Sequence, residues 1–202
     1  MFDIQIRRHI DPALELIASA VYKTGIRANH ITWFGFVCGL AACLALTQSE
    51  YIWALIGLIA NRLCDGVDGA VARAGGEDGT LYGGFLDIVL DMIIYAGFPL
   101  SFAIGSGSSD DMQAAAVLLM AYVGTASAFL ALSSLRMKKG DDQDDKKSLI
   151  FGRAIAEGTE TALVMGLFCL VPEYFSVIAY GYAVLCVLTT VQRVLQARKL
   201  LA

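Results

Sequence analysis

The sequence predicts an all-α, polytopic membrane protein: an N-terminal amphipathic helix lying in the membrane interface, followed by six transmembrane helices. Three observations carry that expectation. The chain is 57% hydrophobic and only 17% charged, with a mean hydropathy of +0.63, outside the balance of an ordinary soluble domain. Six apolar segments follow one another with Gly-rich or polar breaks between most of them. Apart from Arg62 and Arg153 within spans, lysine and arginine fall at the termini and around alternate connections only. A crossing takes roughly 20 apolar residues, so a chain of 202 residues has little room for a separate soluble domain. The expected organisation is one membrane domain over 1–202, with the interfacial helix within 1–28 and a six-helix bundle over 31–195.

The elements follow in order. Over residues 4–22, Ile6, Ile10, Leu14, Ile17 and Val21 recur at helical spacing on one side, with Arg7, Asp11 and Glu15 elsewhere. This is the pattern of a helix lying in the interface or packing on the bundle. The predicted spans are 31–48, 51–72, 83–104, 112–136, 150–171 and 173–195. The connections after the first, third and fifth contain no Lys or Arg. Arg7, Arg8, Lys23 and Arg27 precede the first span, Arg73 follows the second, Arg136, Lys138, Lys139, Lys146 and Lys147 surround the connection after the fourth, and Arg193, Arg198 and Lys199 close the chain. The positive-inside rule therefore places both termini in the cytoplasm. The five cysteines have neither CxxC nor metal-ligand spacing and read as packing residues.

Charged side chains inside spans are costly and point to function. Asn61, Asp65, Asp68 and Ala72 share one face of the second span, and Asp87 and Asp91 share one face of the third. These spans are consecutive and antiparallel, so the two pairs of acids can meet near the cytoplasmic end. Four carboxylates at close range repel one another unless cations neutralise them. Without His or Cys in the set, the donors suit a hard divalent ion. Gly66, Gly69, Gly83 and Gly84 leave room for a phosphate or a flat ring, and Arg73 can pair with an anion at the mouth. The bland alternative is that the aspartates cap helices or pair with Arg62 and Arg73. Four acids at facing spacings count against it.

The stretch Asp65-Gly66-Val67-Asp68-Gly69-Ala70-Val71-Ala72-Arg73, followed by Gly83-Gly84-Phe85-Leu86-Asp87-Ile88-Val89-Leu90-Asp91, resembles the signature of the CDP-alcohol phosphatidyltransferases. That signature is D-x-x-D-G-x-x-A-R, a spacer, then G-x-x-x-D-x-x-x-D. The spacer here is one residue longer than the commonest form. Asn29-His30-Ile31-Thr32 resembles the family's P-N-x-x-T segment, with Ala28 in place of proline. The resemblance implies transfer of a phosphatidyl or other substituted phosphoryl group from a CDP-linked lipid, CDP-diacylglycerol above all, to an alcohol hydroxyl with release of CMP. It implies that Asp65, Asp68 and Asp87 ligate one or two Mg²⁺ or Mn²⁺ ions, and that Asp91 completes the cluster and acts as general base. It also implies that Gly69, Ala72 and Gly83 line the nucleotide pocket, while Arg73 binds the diphosphate.

On the fifth span, Arg153, Glu157 and Glu160 form a second polar stripe with Thr161 beside it. With Arg136 these residues are candidates for the acceptor pocket. The arginines suit a phosphorylated acceptor, the glutamates a polyol or an amine-bearing alcohol. Two other functions fit an acidic site in a membrane bundle: an intramembrane prenyltransferase, and a cation transporter with carboxylates along its path. The expected partners are the CDP-linked lipid, a small alcohol and membrane lipids, with no nucleic acid and with a homodimer as the assembly. The expected location is the bacterial inner membrane, as a multi-pass protein with its active site on the cytoplasmic side.

Overall fold

The computed structural model describes residue 15 and residues 18–75, 80–139 and 158–201, those at 136–139, 200 and 201 without their side chains. Six α-helices of 13 residues or more lie within these stretches: α1 (Ala28–Thr47), α2 (Tyr51–Ala74), α3 (Leu81–Ser106), α4 (Ser109–Lys139), α5 (Gly158–Leu170) and α6 (Phe175–Leu201). A 3₁₀ turn, Pro172–Tyr174, joins α5 to α6, with the proline at its start where no helical N–H is needed. No strand occurs among the described residues.

Four helical stretches are long and apolar enough to cross a membrane: Ala28–Thr47, Leu81–Ser106, Ser109–Leu135 and Pro172–Lys199. The 24 residues of α2 would suffice by length, at about 1.5 Å per residue. Its apolar run is interrupted by Arg62, Asp65 and Asp68, which fall within any 18-residue window of the helix. The first part of the predicted fifth span, 150–157, lies outside the described residues, and α5 is described for 13 residues. Most of the predicted interfacial helix also lies outside them. Its far end is described: residues 18–23 are helical, and Ala18 is fully buried with Ala70 and Val71 of α2. At that end, at least, the element packs on the bundle.

Consecutive helices joined by short connections run in opposite directions, as such connections require. Ser49, which takes a left-handed φ of 59° in the turn between α1 and α2, donates its hydroxyl to the Gly105 carbonyl at the end of α3. At the same end of the molecule Ser176 of α6 donates to Asp111 of α4 at 2.5 Å. The connections without Lys or Arg therefore gather at one end. Gly107 takes a left-handed φ of 65° and closes α3, which glycine does without steric cost.

The core is densest towards that end. Phe102 stacks on Phe175 with ring centroids 4.0 Å apart, and Phe168 and Tyr51 complete an aromatic cluster that ties α2, α3, α5 and α6 together. On the outside, large apolar side chains such as Phe34, Leu44, Trp53, Met120 and Val177 are exposed, as they are on a surface that faces lipid rather than water. α1 packs on both α2 and α3, and α4 packs on α6. Small residues let α1 come close. A Cβ on Gly35 would lie 2.7 Å from the Cβ of Cys64, and one on Gly39 2.7 Å from the tip of Ile94.

Candidate functional site

The end of the bundle opposite the aromatic cluster holds the acids. Thr80 caps the start of α3 by accepting from the Gly83 amide at 3.1 Å, which fixes the helix four residues before Asp87 and sets the depth of Asp87 and Asp91. On α2, Asp65 and Asp68 lie in the last two to three turns. The four aspartates line one small hollow together with Thr32, Gly35, Phe36, Asn61 and Leu90. Within it Asp65, Asp87 and Asp91 each offer a carboxylate oxygen, and these oxygens lie within 4.8 Å of one another.

Asp68 belongs to the same hollow but is held differently. It is buried, and its Oδ2 accepts the Thr32 hydroxyl of α1 at 2.6 Å. Thr32 closes the Asn29-His30-Ile31-Thr32 segment. Its direct contact with a carboxylate of the cluster was not assigned from the sequence, although the segment itself was the signal that could have found it. Asn29 comes near the other side of the site, where its side-chain oxygen would lie 3.3 Å from a Cβ placed on Gly83.

Arg62 is the residue whose part the spacing did not reveal. Its Nη2 donates to Asp91 Oδ1 at 2.5 Å and its Nη1 to Asp91 Oδ2 at 3.2 Å, a two-point pair across α2 and α3. Nη1 also donates to the Tyr95 hydroxyl at 2.9 Å, and that hydroxyl donates to Asp91 Oδ2 at 3.2 Å. Nε and Nη2 donate to Asn61 Oδ1, at 2.9 and 2.7 Å. Asn61 is itself buried, and its Nδ2 donates to the Gly35 carbonyl of α1 at 2.9 Å. The alternative of pairing with Arg62 thus holds for Asp91, with Asp65 at a looser 3.7 Å, and it coexists with convergence of the acids.

The remaining candidates divide. Arg73, in the last turn of α2, is exposed, and one of its nitrogens would lie 3.5 Å from a Cβ on Gly69. Ala72 and Gly83 are half-buried at the same end. Arg153 and Glu157 lie outside the described residues, Arg136 is described only as part of α4, and Glu160 is half-buried in the first turn of α5. The stripe's neighbour Thr161 does reach a cavity, sharing a 2.7 Å hydrogen bond with the Tyr182 hydroxyl.

That cavity, of about 590 Å³, opens beside the acids between α3, α4, α5 and α6. Asp87, Asp91 and Tyr95 form one wall, Tyr122, Thr125 and Phe129 another, and Thr161, Tyr182 and Arg193 the far side. Arg193 donates to the Thr125 carbonyl at 2.9 Å and lies over the Phe129 ring. The Tyr122 hydroxyl is buried in the wall with no hydrogen-bond partner among the described residues, which leaves it for an occupant. Asp87 and Asp91 line both the hollow and the cavity, so an ion in one and an alcohol in the other would share them.

Comparison with known proteins bears on what such a site does. Residues 26–192 match the family model described as CDP-alcohol phosphatidyltransferase. The chain is 37% identical to the inner membrane protein YnjF of Escherichia coli K12, over 96% of this chain and 94% of that one. It is 34% identical to the archaetidylinositol phosphate synthase of Pyrococcus horikoshii, over 50% of this chain and 53% of that one. Among solved structures it resembles the phosphatidylinositol phosphate synthase PgsA1 of Mycobacterium tuberculosis, determined with CDP-DAG bound. The TM-score is 0.65 over 90% of this chain and 91% of that one; at 20% identity this is a likeness of fold.

Proposed function

Because the chain belongs to the CDP-alcohol phosphatidyltransferase family, we propose that it transfers a phosphatidyl group from CDP-diacylglycerol to the hydroxyl of a small polar alcohol, releasing CMP, as a step of phospholipid synthesis. The observation that carries the reading is the convergence of Asp65, Asp87 and Asp91, with Asp68 in the same hollow, next to a cavity large enough for a small alcohol. Family membership favours this over the prenyltransferase and the transporter.

The donor set fits a hard divalent ion: carboxylate oxygens within 4.8 Å of one another, and neither imidazole nor thiolate among the grouped ligands. Asp65, Asp68, Asp87 and Asp91 would hold Mg²⁺ or Mn²⁺, which when bound offsets the negative charge of the diphosphate. Arg73 pairs with the diphosphate at the exposed mouth, while Gly69, Ala72 and Gly83 leave the nucleotide room against the backbone. In the reaction the acceptor oxygen bonds to the phosphatidyl phosphorus, and the bond from that phosphorus to the CMP oxygen breaks. Asp91 takes the hydroxyl proton. The cavity beside it receives the acceptor, for which Arg136, Arg153, Glu157 and Glu160 are the candidate binding residues. The chain works as one domain over 1–202, crossing the membrane six times behind an interfacial helix within 1–28, as a homodimer in a bacterial inner membrane. Both termini and the acids face the cytoplasm.

The test is CMP release from CDP-diacylglycerol by purified protein with Mg²⁺ or Mn²⁺ and a panel of alcohols: glycerol 3-phosphate, inositol, inositol phosphate, serine and glycerol. One alcohol should give CMP, and Asp91→Asn should lower kcat by about 10²-fold or more, the usual worth of a general base. If no alcohol gives CMP, or if Asp91→Asn matches the wild type, the reading is wrong. Arg153→Ala should raise the acceptor KM and spare the KM for the CDP-lipid; an unchanged acceptor KM would remove Arg153 from the pocket.

A further inference from the structure

The cavity beside the acids changes character with depth. α4 and α6 begin together at the end opposite the acids, where Ser176 meets Asp111, and both run towards the acids, while α3 runs away from them. Tyr95, Tyr122 and Tyr182 therefore lie deep in the cavity, with Asp91 one turn and Arg193 about three turns closer to the acid end. Among the described lining residues the charged ones are Asp87, Asp91 and Arg193, and all three lie on the acid side of that floor. The floor itself carries hydroxyls: those of Tyr95, Tyr122 and Tyr182, and that of Thr161, which bonds Tyr182.

Three of these four hydroxyls are already engaged. That of Tyr95 receives Arg62 Nη1 at 2.9 Å and donates to Asp91 at 3.2 Å, and those of Thr161 and Tyr182 share a bond of 2.7 Å. The Tyr122 hydroxyl is buried and has no partner among the described residues. Its ring meets that of Tyr182 edge to face, with centroids 6.1 Å apart, so packing holds the phenol in place without a hydrogen bond. A buried hydroxyl left unpaired is costly, and in the wall of a cavity that cost is removed when an occupant supplies an oxygen.

We infer that Tyr122 is a specificity-determining residue whose hydroxyl bonds an uncharged oxygen of the acceptor while the reacting hydroxyl lies at Asp91, so that the acceptor is a polyol, with or without a phosphate, and not an amino alcohol. The inference rests on the proposed transfer and narrows its acceptor. A phenol pairs with any group that offers it a lone pair, and the second hydroxyl of a polyol does so. The group at the floor must also be uncharged. A carboxylate or an ammonium there would be desolvated with no described counter-charge free beside it, since Asp91 is already paired with Arg62. Serine has no oxygen besides its reacting hydroxyl that is not part of a carboxylate. Glycerol, inositol and their phosphates each have one, and can keep any phosphate away from the floor.

The test uses purified protein in detergent with CDP-diacylglycerol, Mg²⁺ or Mn²⁺, and five alcohols. At least one of glycerol, glycerol 3-phosphate, inositol and inositol phosphate should release CMP, and serine should release none. With the polyol that reacts, Tyr122→Phe should raise the acceptor KM by about 5-fold or more, the usual worth of one neutral hydrogen bond, and should leave kcat and the KM for the CDP-lipid within about 2-fold of the wild type. Because the phenylalanine fills the same space and the lost hydroxyl bonds no described residue, the variant should melt no lower than the wild type. CMP release with serine would overturn the inference, and so would an unchanged acceptor KM in Tyr122→Phe. A variant that melts lower, or does not fold, would overturn it as well, because the hydroxyl would then hold the protein together rather than the acceptor. In each of these cases the transfer reading stands on the wild-type CMP release. No CMP with any of the five alcohols would remove that reading and the inference with it, which separates the two failures.

Discussion

The acids of this site are not equivalent, and the difference lies in what each is bonded to. Asp91 shares its charge with Arg62, Asp68 takes a hydroxyl from a third helix, and Asp65 and Asp87 face the hollow more freely. The Thr32 hydroxyl holds Asp68 Oδ2 at 2.6 Å in a buried setting, where a partner of this kind orients a ligand and keeps its lone pairs aimed. Thr32→Val preserves the shape and removes the bond. It should weaken Mn²⁺ binding by about 10-fold or more, read from the dissociation constant in a Mn²⁺ titration of the purified protein, whereas an unchanged constant would mean that Asp68 is not a ligand. The carboxylate spacings were plain in the sequence because a helix has a fixed period. The Arg62 pair was not, since it joins residues 29 positions apart on two helices, and the rotation of one helix against the other is set by packing.

At the scale of the helices, the site depends on how closely α1 approaches α2. Thr32 reaches Asp68, and the Gly35 carbonyl receives Asn61, only because Gly35 lies against Cys64 with no side chain between them. An alanine there would place its Cβ 2.7 Å from the Cys64 Cβ, a rigid atom that cannot swing aside. Gly35→Ala should therefore destabilise the protein by about 1–3 kcal/mol, as overpacking does. Thermal unfolding in detergent should show the lowered midpoint, and an unchanged one would mean that α1 and α2 do not approach so closely. The sequence marked α2 as a span and as the bearer of the acids. These two properties conflict: the charges that make α2 functional also break the apolar run by which a span is recognised.

For the whole molecule, the alternation of basic and non-basic connections agrees with the packing. Ser49 meets Gly105 and Ser176 meets Asp111 at one end, while Thr32 meets Asp68 at the other, with Arg73 just beyond. If the acids face the cytoplasm as proposed, a cysteine introduced at Ser108 into a cysteine-free variant should react with an impermeant maleimide on the outer side of the membrane. One at Ala74 should react only after permeabilisation. The reverse pattern would invert the topology.

The sequence by itself determined the helical membrane class, the sidedness expected from basic residues and the identity of the acidic positions, because each follows from composition or from helical period along one segment. Only the tertiary structure decided which acids meet, that Arg62 and Tyr95 hold Asp91, and that a cavity lies against it between α3 and α6. Those depend on the depth, rotation and spacing of separate helices. These are fixed by small residues such as Gly35 and by the aromatic cluster at the far end, through contacts that no periodicity within one segment encodes.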